Sequence, residues 1–102
     1  IMVNALLAYP RKGLAGVEVA RGNPEAAREH LQVAVALDAT DPGAWRGLGV
    51  VQRLLGRFSE AKGAFESCLD LAPEDPECKL GLSQVNEAHA ALESKAPAKP
   101  RR

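Results

Sequence analysis

Four side chains in the 102-residue sequence carry groups typical of catalysis or metal binding, two cysteines and two histidines. Cys68 and Cys78 lie ten residues apart, a spacing that matches no common metal-binding or redox motif. We therefore expect two reduced cysteines that pack as small apolar side chains. His30 and His89 fall on different predicted helices, and neither forms a recognisable pattern with a nucleophile and an acid. The sequence thus predicts no catalytic residue, no metal site and no cofactor, and we expect that the chain is not an enzyme.

The charge and the composition of the chain argue against nucleic acid and membranes as its partners. Thirteen Lys and Arg residues balance thirteen Asp and Glu residues, so the formal net charge is zero. This balance argues against nucleic acid or an anionic membrane surface as the main partner. Aromatic residues make up only 4% of the chain, too few for a surface on which bases stack. No apolar run approaches the roughly 18 residues of a membrane-spanning helix.

The dipeptide Asp-Pro recurs at an interval that indicates a repeat. Asp41-Pro42 is followed 34 residues later by Asp75-Pro76, and Gly22 and Gly56 are separated by the same interval. This is the length of a helix–turn–helix unit. In each pair, the aspartate is expected to cap a helix and the proline to occupy its first turn.

The segments between these marks are predicted to be amphipathic helices. Asn23-Pro24 has the same cap-and-proline arrangement, and apolar residues follow it at spacings of three and four. The helix that begins at Pro42 is expected to stop at Gly56, because glycine accepts a left-handed turn. Its partner is predicted to begin at about Ser59 and to end before Pro73, and a further helix follows the second Asp-Pro pair.

Residues 42–75 resemble one tetratricopeptide repeat. The residues that carry the resemblance are Trp45, Leu48, Gly49, Gly56, Ala61, Phe65 and Pro73. Gln52 stands where this family usually has an aromatic residue, and Cys68 where it has alanine. The resemblance implies an all-α fold, in which antiparallel helix–turn–helix repeats stack as a short right-handed solenoid with a C-terminal capping helix. It also implies that Gly49 and Ala61 are small because two helices cross there.

The resemblance divides the chain into three parts. Residues 9–92 are expected to form the tetratricopeptide domain, with a degenerate repeat at 8–41, a well-formed repeat at 42–75 and the capping helix at 76–92. Residues 1–8 are expected to be the stub of a preceding helix, so that the chain would be a fragment. The segment 93–102 contains four cations and two prolines and is expected to be a disordered basic tail.

In this family the first helix of each pair lines a concave groove, and the resemblance places candidate partner-binding residues there. They are Tyr9, Lys12, Val19, Arg46, Val50, Arg53, Leu54, Leu80, Gln84 and Glu87. Lys12, Arg46 and Arg53 are expected to make one side basic, unless they are simply a solvated face. Glycines, Gly47 and Gly81 among them, are expected to leave the floor bare for a partner's backbone.

We therefore expect a protein or peptide partner with apolar anchors and, against the basic side, an acidic residue. Some family members clamp the C-terminus of heat-shock chaperones with five polar residues. The matching positions here are Lys12, Gly16, Gly47, Glu77 and Gly81. Only Lys12 fits, and Glu77 reverses a charge, so a chaperone C-terminus is not an expected partner.

The leading prediction is a non-catalytic protein–protein interaction module, an adaptor or dedicated chaperone that holds a partner segment in the groove. One alternative is a structural subunit or terminal segment of a larger repeat array, which leaves self-association open. Another is a non-catalytic arm of a larger enzyme. Two reduced cysteines favour the cytoplasm or another reducing compartment.

Overall fold

A computed structural model describes residues 18–95 of the chain, and these residues contain helices and no β-strand. Residues 18–20 are helical, and four complete helices follow. These are α1 (Pro24–Leu37), α2 (Pro42–Leu54), α3 (Phe58–Leu71) and α4 (Pro76–Lys95). The prediction of an all-α fold is therefore confirmed.

The helix boundaries follow the predicted 34-residue interval. α1 and α3 begin at residues 24 and 58, and α2 and α4 begin at residues 42 and 76. Gly22 and Gly56 adopt positive φ angles of 75° and 77°, in the left-handed region where a side chain is disfavoured. The equivalent turns of successive units are thus built in the same way.

The Asp-Pro pairs cap helices as predicted, whereas Asn23 does not. The Asp41 carboxylate accepts a hydrogen bond of 3.0 Å from the backbone N–H of Gly43. The Asp75 carboxylate likewise accepts from the backbone N–H groups of Glu77 and Cys78, at 2.9 and 3.2 Å. The Asn23 side chain instead donates to a carboxylate oxygen of Glu18, so the start of α1 has no side-chain cap.

Consecutive helices are joined by three or four residues and pack against each other as helix hairpins. α2 also contacts α4, so the first helices of successive units are neighbours. One buried cluster joins α1, α2 and α3, and it comprises Ala27, Leu31, Leu48, Val51 and Ala64. A second joins α3 and α4, and it comprises Ala61, Phe65, Cys68, Cys78 and Val85. Trp45 packs against both clusters and links them.

Two glycines are small because the ring of Phe65 fills the space beside them. A Cβ atom at Gly49 would lie 2.8 Å from this ring, and one at Gly81 would lie closer still. The prediction that Gly49 is small where helices pack is confirmed. The Phe65 ring therefore requires a small residue at Gly81 as well, a reason that the sequence did not indicate. Gly47 similarly faces Leu31, whose Cδ2 would lie 3.3 Å from an added Cβ.

The structure differs from the predicted boundaries at the C-terminal end of the domain. α4 continues to Lys95, three residues beyond the predicted end of the capping helix at residue 92. The first residues of the predicted tail are therefore helical. The predicted stub at 1–8, the start of the first predicted repeat and residues 96–102 lie outside the described part of the chain.

Candidate functional site

The first helices of the units line a concave cavity of about 600 Å³, which we call the groove. Its walls come from α2, α4 and the helical residues 18–20. The lining residues are Val19, Leu31, Gly43, Arg46, Gly47, Val50, Val51, Arg53, Phe65, Glu77, Leu80, Gly81 and Gln84.

Three aliphatic side chains project into the groove from three different helical segments. Val19, Val50 and Leu80 are 38%, 36% and 59% exposed. α2 and α4 bury their other faces against α1 and α3, so these positions remain open on the concave side. Apolar side chains gathered in a concavity are typical of a binding site, whereas isolated exposed ones are not.

Arg46 is held by two acidic residues at the edge of the groove. Its Nη1 atom lies 2.7 Å from Oδ2 of Asp75, and its Nε atom lies 3.0 Å from Oε1 of Glu77. Arg46 was predicted to contribute to a basic side of the groove. The basic character predicted for Arg46 is reduced, because two of its three guanidinium nitrogens bind carboxylates of the same chain.

The Asp75 carboxylate is stabilised in its charged form. Burial alone would raise the pKa of its carboxyl group. The backbone N–H of Cys78, the positive charge of Arg46 and the backbone N–H of Glu77 outweigh that effect, so the pKa lies below its ordinary value of 3.8. Asp75 therefore caps α4 with one oxygen and binds Arg46 with the other.

Arg53 lines the same groove and has no ion pair among residues 18–95. Its Nε atom is shielded from solvent and has no hydrogen-bond partner. Arg53 occupies the last turn of α2, three residues after Val50, so the two side chains lie on the same face of the helix. The groove thus combines aliphatic groups with one guanidinium that has no counter-ion in this part of the chain.

The structure brings together six of the ten predicted partner-binding residues, namely Val19, Arg46, Val50, Arg53, Leu80 and Gln84. Leu54 and Glu87 are exposed but do not line the groove. Tyr9 and Lys12 lie outside the described residues.

Sequence reasoning missed Leu31, Val51 and Phe65, whose side chains form the floor of the groove. All three are buried, and the apolar pattern predicts them only as core. The signal that could have found two of them is the set of glycines opposite, since Phe65 and Leu31 pack directly against the helix backbone at Gly81 and Gly47.

The prediction of two reduced cysteines is wrong. Cys68 and Cys78 form a disulfide bond that joins the last turns of α3 to the first turn of α4. Residues 72–75 reverse the chain between these helices and bring the two Cα atoms to 6.4 Å, within the range for disulfides. Spacing along the sequence does not reveal this approach. The cysteines therefore no longer favour a reducing compartment.

The disulfide also argues against a metal site formed by Cys68, Asp75 and Cys78. The two sulfur atoms and a carboxylate oxygen of Asp75 lie within 4.8 Å of one another. A metal ion would require thiolates, and sulfurs bonded to each other supply none. The 3.8 Å approach of Cys68 Sγ to Asp75 is a contact and not a hydrogen bond, because the disulfide carries no proton.

His89 packs against an aromatic ring. Its ring centroid lies 5.9 Å from that of Phe58, and its Nε2 atom lies 3.7 Å from Glu93. His30 is half-buried on α1.

Helix hairpins with a 34-residue period, whose first helices line one concave face, define a helical-repeat protein. The family model described as tetratricopeptide repeat matches residues 18–79, more than half of the chain. The chain therefore belongs to the tetratricopeptide repeat family. Members of this family are protein–protein interaction modules and are generally non-catalytic. A comparison with curated proteins finds no match. Within residues 18–95, every helix is too short or too polar to cross a membrane.

Proposed function

We propose that the chain is a non-catalytic adaptor or dedicated chaperone that holds a segment of a protein partner in the groove. The observation that carries this proposal is the convergence of Val19, Val50 and Leu80 in one concavity of about 600 Å³. Burying these side chains against apolar groups of a partner would contribute roughly 1 kcal/mol each, since each is already partly covered.

The shape of the groove favours a segment over a flat surface. Its floor is formed by Phe65 and Leu31, which lie beneath glycine positions of α4 and α2. Phe65 is fully buried and Leu31 nearly so, so the floor is closed and a partner segment would contact mainly the aliphatic side chains of the walls. Arg53 at one end supplies a polar group that can fix the orientation of the segment.

The proposal can be tested with peptides from a display library of random linear sequences, selected on the full chain. The test variant is Val50→Gln with Leu80→Gln, which keeps helix-compatible side chains but removes the apolar groups from the groove. The matched control is Val33→Gln with Leu92→Gln. These residues are 37% and 56% exposed, close to the test pair, and lie outside the groove.

We expect the groove variant to weaken binding of selected peptides at least tenfold, which corresponds to about 1.4 kcal/mol. The control variant should bind as the wild type does. Peptides that bind both variants equally well would refute the groove as the site. Dimers that form through Val50 and Leu80, detected by light scattering, would instead favour a structural subunit.

A further inference from the structure

We propose that the groove selects a segment in which a side-chain carboxylate, flanked by aliphatic residues, pairs with Arg53. This inference rests on the proposed function and specifies the chemistry of its partner. The carboxylate is that of an internal Asp or Glu, and the aliphatic residues occupy the spaces beside Val50 and Leu80.

The distribution of charge in the groove identifies Arg53 as the position of an incoming anion. Arg46 is already bound by Asp75 and Glu77, at 2.7 and 3.0 Å. Arg53 has no acidic partner among residues 18–95. Among residues 18–95, an anion from a partner would therefore find a cation without a counter-ion at Arg53, whereas Arg46 is already bound by two carboxylates.

The hydrogen-bonding state of Arg53 points to a carboxylate. Arg53 is half-buried and lines the groove with its Nε–H shielded from solvent, so an incoming acceptor would reach the guanidinium through its Nη groups. The two Nη groups of a guanidinium lie side by side and match the two oxygens of a carboxylate. A neutral amide offers one acceptor oxygen and no charge, so it would satisfy Arg53 less well.

The surroundings of Arg53 limit the segment to one acidic group with apolar neighbours. Val50 lies one helical turn before Arg53 on the same face of α2, and Leu80 lines the same groove from α4. Glu77, on the wall formed by α4, would repel a second carboxylate near the Arg46 end. A run of acidic residues therefore fits the groove less well than one acid between aliphatic residues.

The test is a double-mutant cycle with selected peptides that are synthesised with a C-terminal amide, so that only side-chain carboxylates remain. Each acidic residue is changed to its amide, Asp→Asn or Glu→Gln. Each peptide is then titrated against the wild type, Arg53→Gln and Arg57→Gln. Arg57 is the control, because it removes the same charge three residues beyond α2 at an exposed position where it pairs with Glu60.

We expect one acid-to-amide change to weaken binding to the wild type about tenfold, and to have no effect on binding to Arg53→Gln. Arg53→Lys should restore only part of the difference, because lysine keeps the charge but lacks the paired donors. Binding to Arg57→Gln should match the wild type at physiological salt.

Peptides that depend on Val50 and Leu80 but are indifferent to their own acids would overturn this inference and leave the proposed function intact. Equal losses of peptide affinity in Arg53→Gln and Arg57→Gln would also overturn it, since they would indicate a general electrostatic attraction and not a direct contact with Arg53. If no peptide depends on Val50 and Leu80, the proposed function and this inference fail together.

Discussion

The disulfide between Cys68 and Cys78 is expected to supply a large share of the stability of this small domain. It closes a loop with a sequence separation of ten residues. Such a loop reduces the entropy of the unfolded chain by an amount equivalent to about 3 kcal/mol. Domains of this size have a total free energy of unfolding of roughly 5–15 kcal/mol, so reduction should be easy to detect.

The assay compares urea unfolding of the oxidised and reduced wild type, followed by circular dichroism. Reduction with a dithiol should lower the free energy of unfolding by about 3 kcal/mol and Tm by roughly 10–20 °C. The slope of the transition should increase, because the reduced unfolded chain exposes more surface. Comparing the same sequence in two redox states separates the bond from any change in side-chain packing.

The double variant Cys68→Ala with Cys78→Ala is the control for the reductant itself. Its unfolding curve should be the same with and without the dithiol. Both cysteines are fully buried, so this variant should be less stable than the reduced wild type by roughly 1–2 kcal/mol. Coincident curves for the oxidised and reduced wild type, or two free thiols in the unreduced denatured protein, would refute the reasoning.

Four further variants test the packing and the capping network. Gly81→Ala should lower the free energy of unfolding by about 1–2 kcal/mol, because its Cβ would meet the buried Phe65 ring. A Cβ at Gly63 would have no neighbouring atom within 4 Å, so Gly63→Ala should raise the free energy of unfolding by up to ~1 kcal/mol in the same urea assay. Gln52→Leu should raise the free energy of unfolding by about 1 kcal/mol, because the Gln52 Oε1 atom is buried without a hydrogen-bond partner. An unchanged urea midpoint for this variant would contradict the reasoning. The pKa of Asp75 is lowered, so its carboxylate contributes stability above pH 3.8, and this contribution is lost as the pH falls through the folded-state pKa. Asp75→Asn should therefore be less stable than the wild type at neutral pH, and its Tm should fall less steeply on acidification.

The features that the sequence predicts correctly are those that depend on local chemistry. A positive φ at Gly22 and Gly56 and a capping carboxylate at Asp41 and Asp75 are properties of a few adjacent residues, so spacing alone reveals them. Asn23 shows the limit of this reasoning. It has the right residue type at the right position, but its side chain bonds to Glu18 instead.

The features that the sequence does not predict depend on contacts between helices. Nothing near Arg46 in the sequence indicates that Asp75, 29 residues away, holds its guanidinium. Similarly, the ten-residue separation of Cys68 and Cys78 matches no known spacing, and only the reversal between α3 and α4 brings the sulfurs together. A list of basic residues therefore overestimates how much positive charge the groove offers to a partner.

Asp75 connects the repeat architecture with the chemistry of the groove. One carboxylate oxygen accepts from the first backbone N–H groups of α4 and thereby fixes where that helix begins. The other binds Arg46, which lines the groove, so the residue that marks the repeat also removes a cation from the binding surface. In the binding mode proposed above, selectivity for an acidic partner depends on Arg53, the groove arginine without a carboxylate among residues 18–95. On the same proposal, a member of the family with the same number of basic groove residues, but without an acid that reaches the position of Arg46, should accept two carboxylates, whereas one is proposed for this chain.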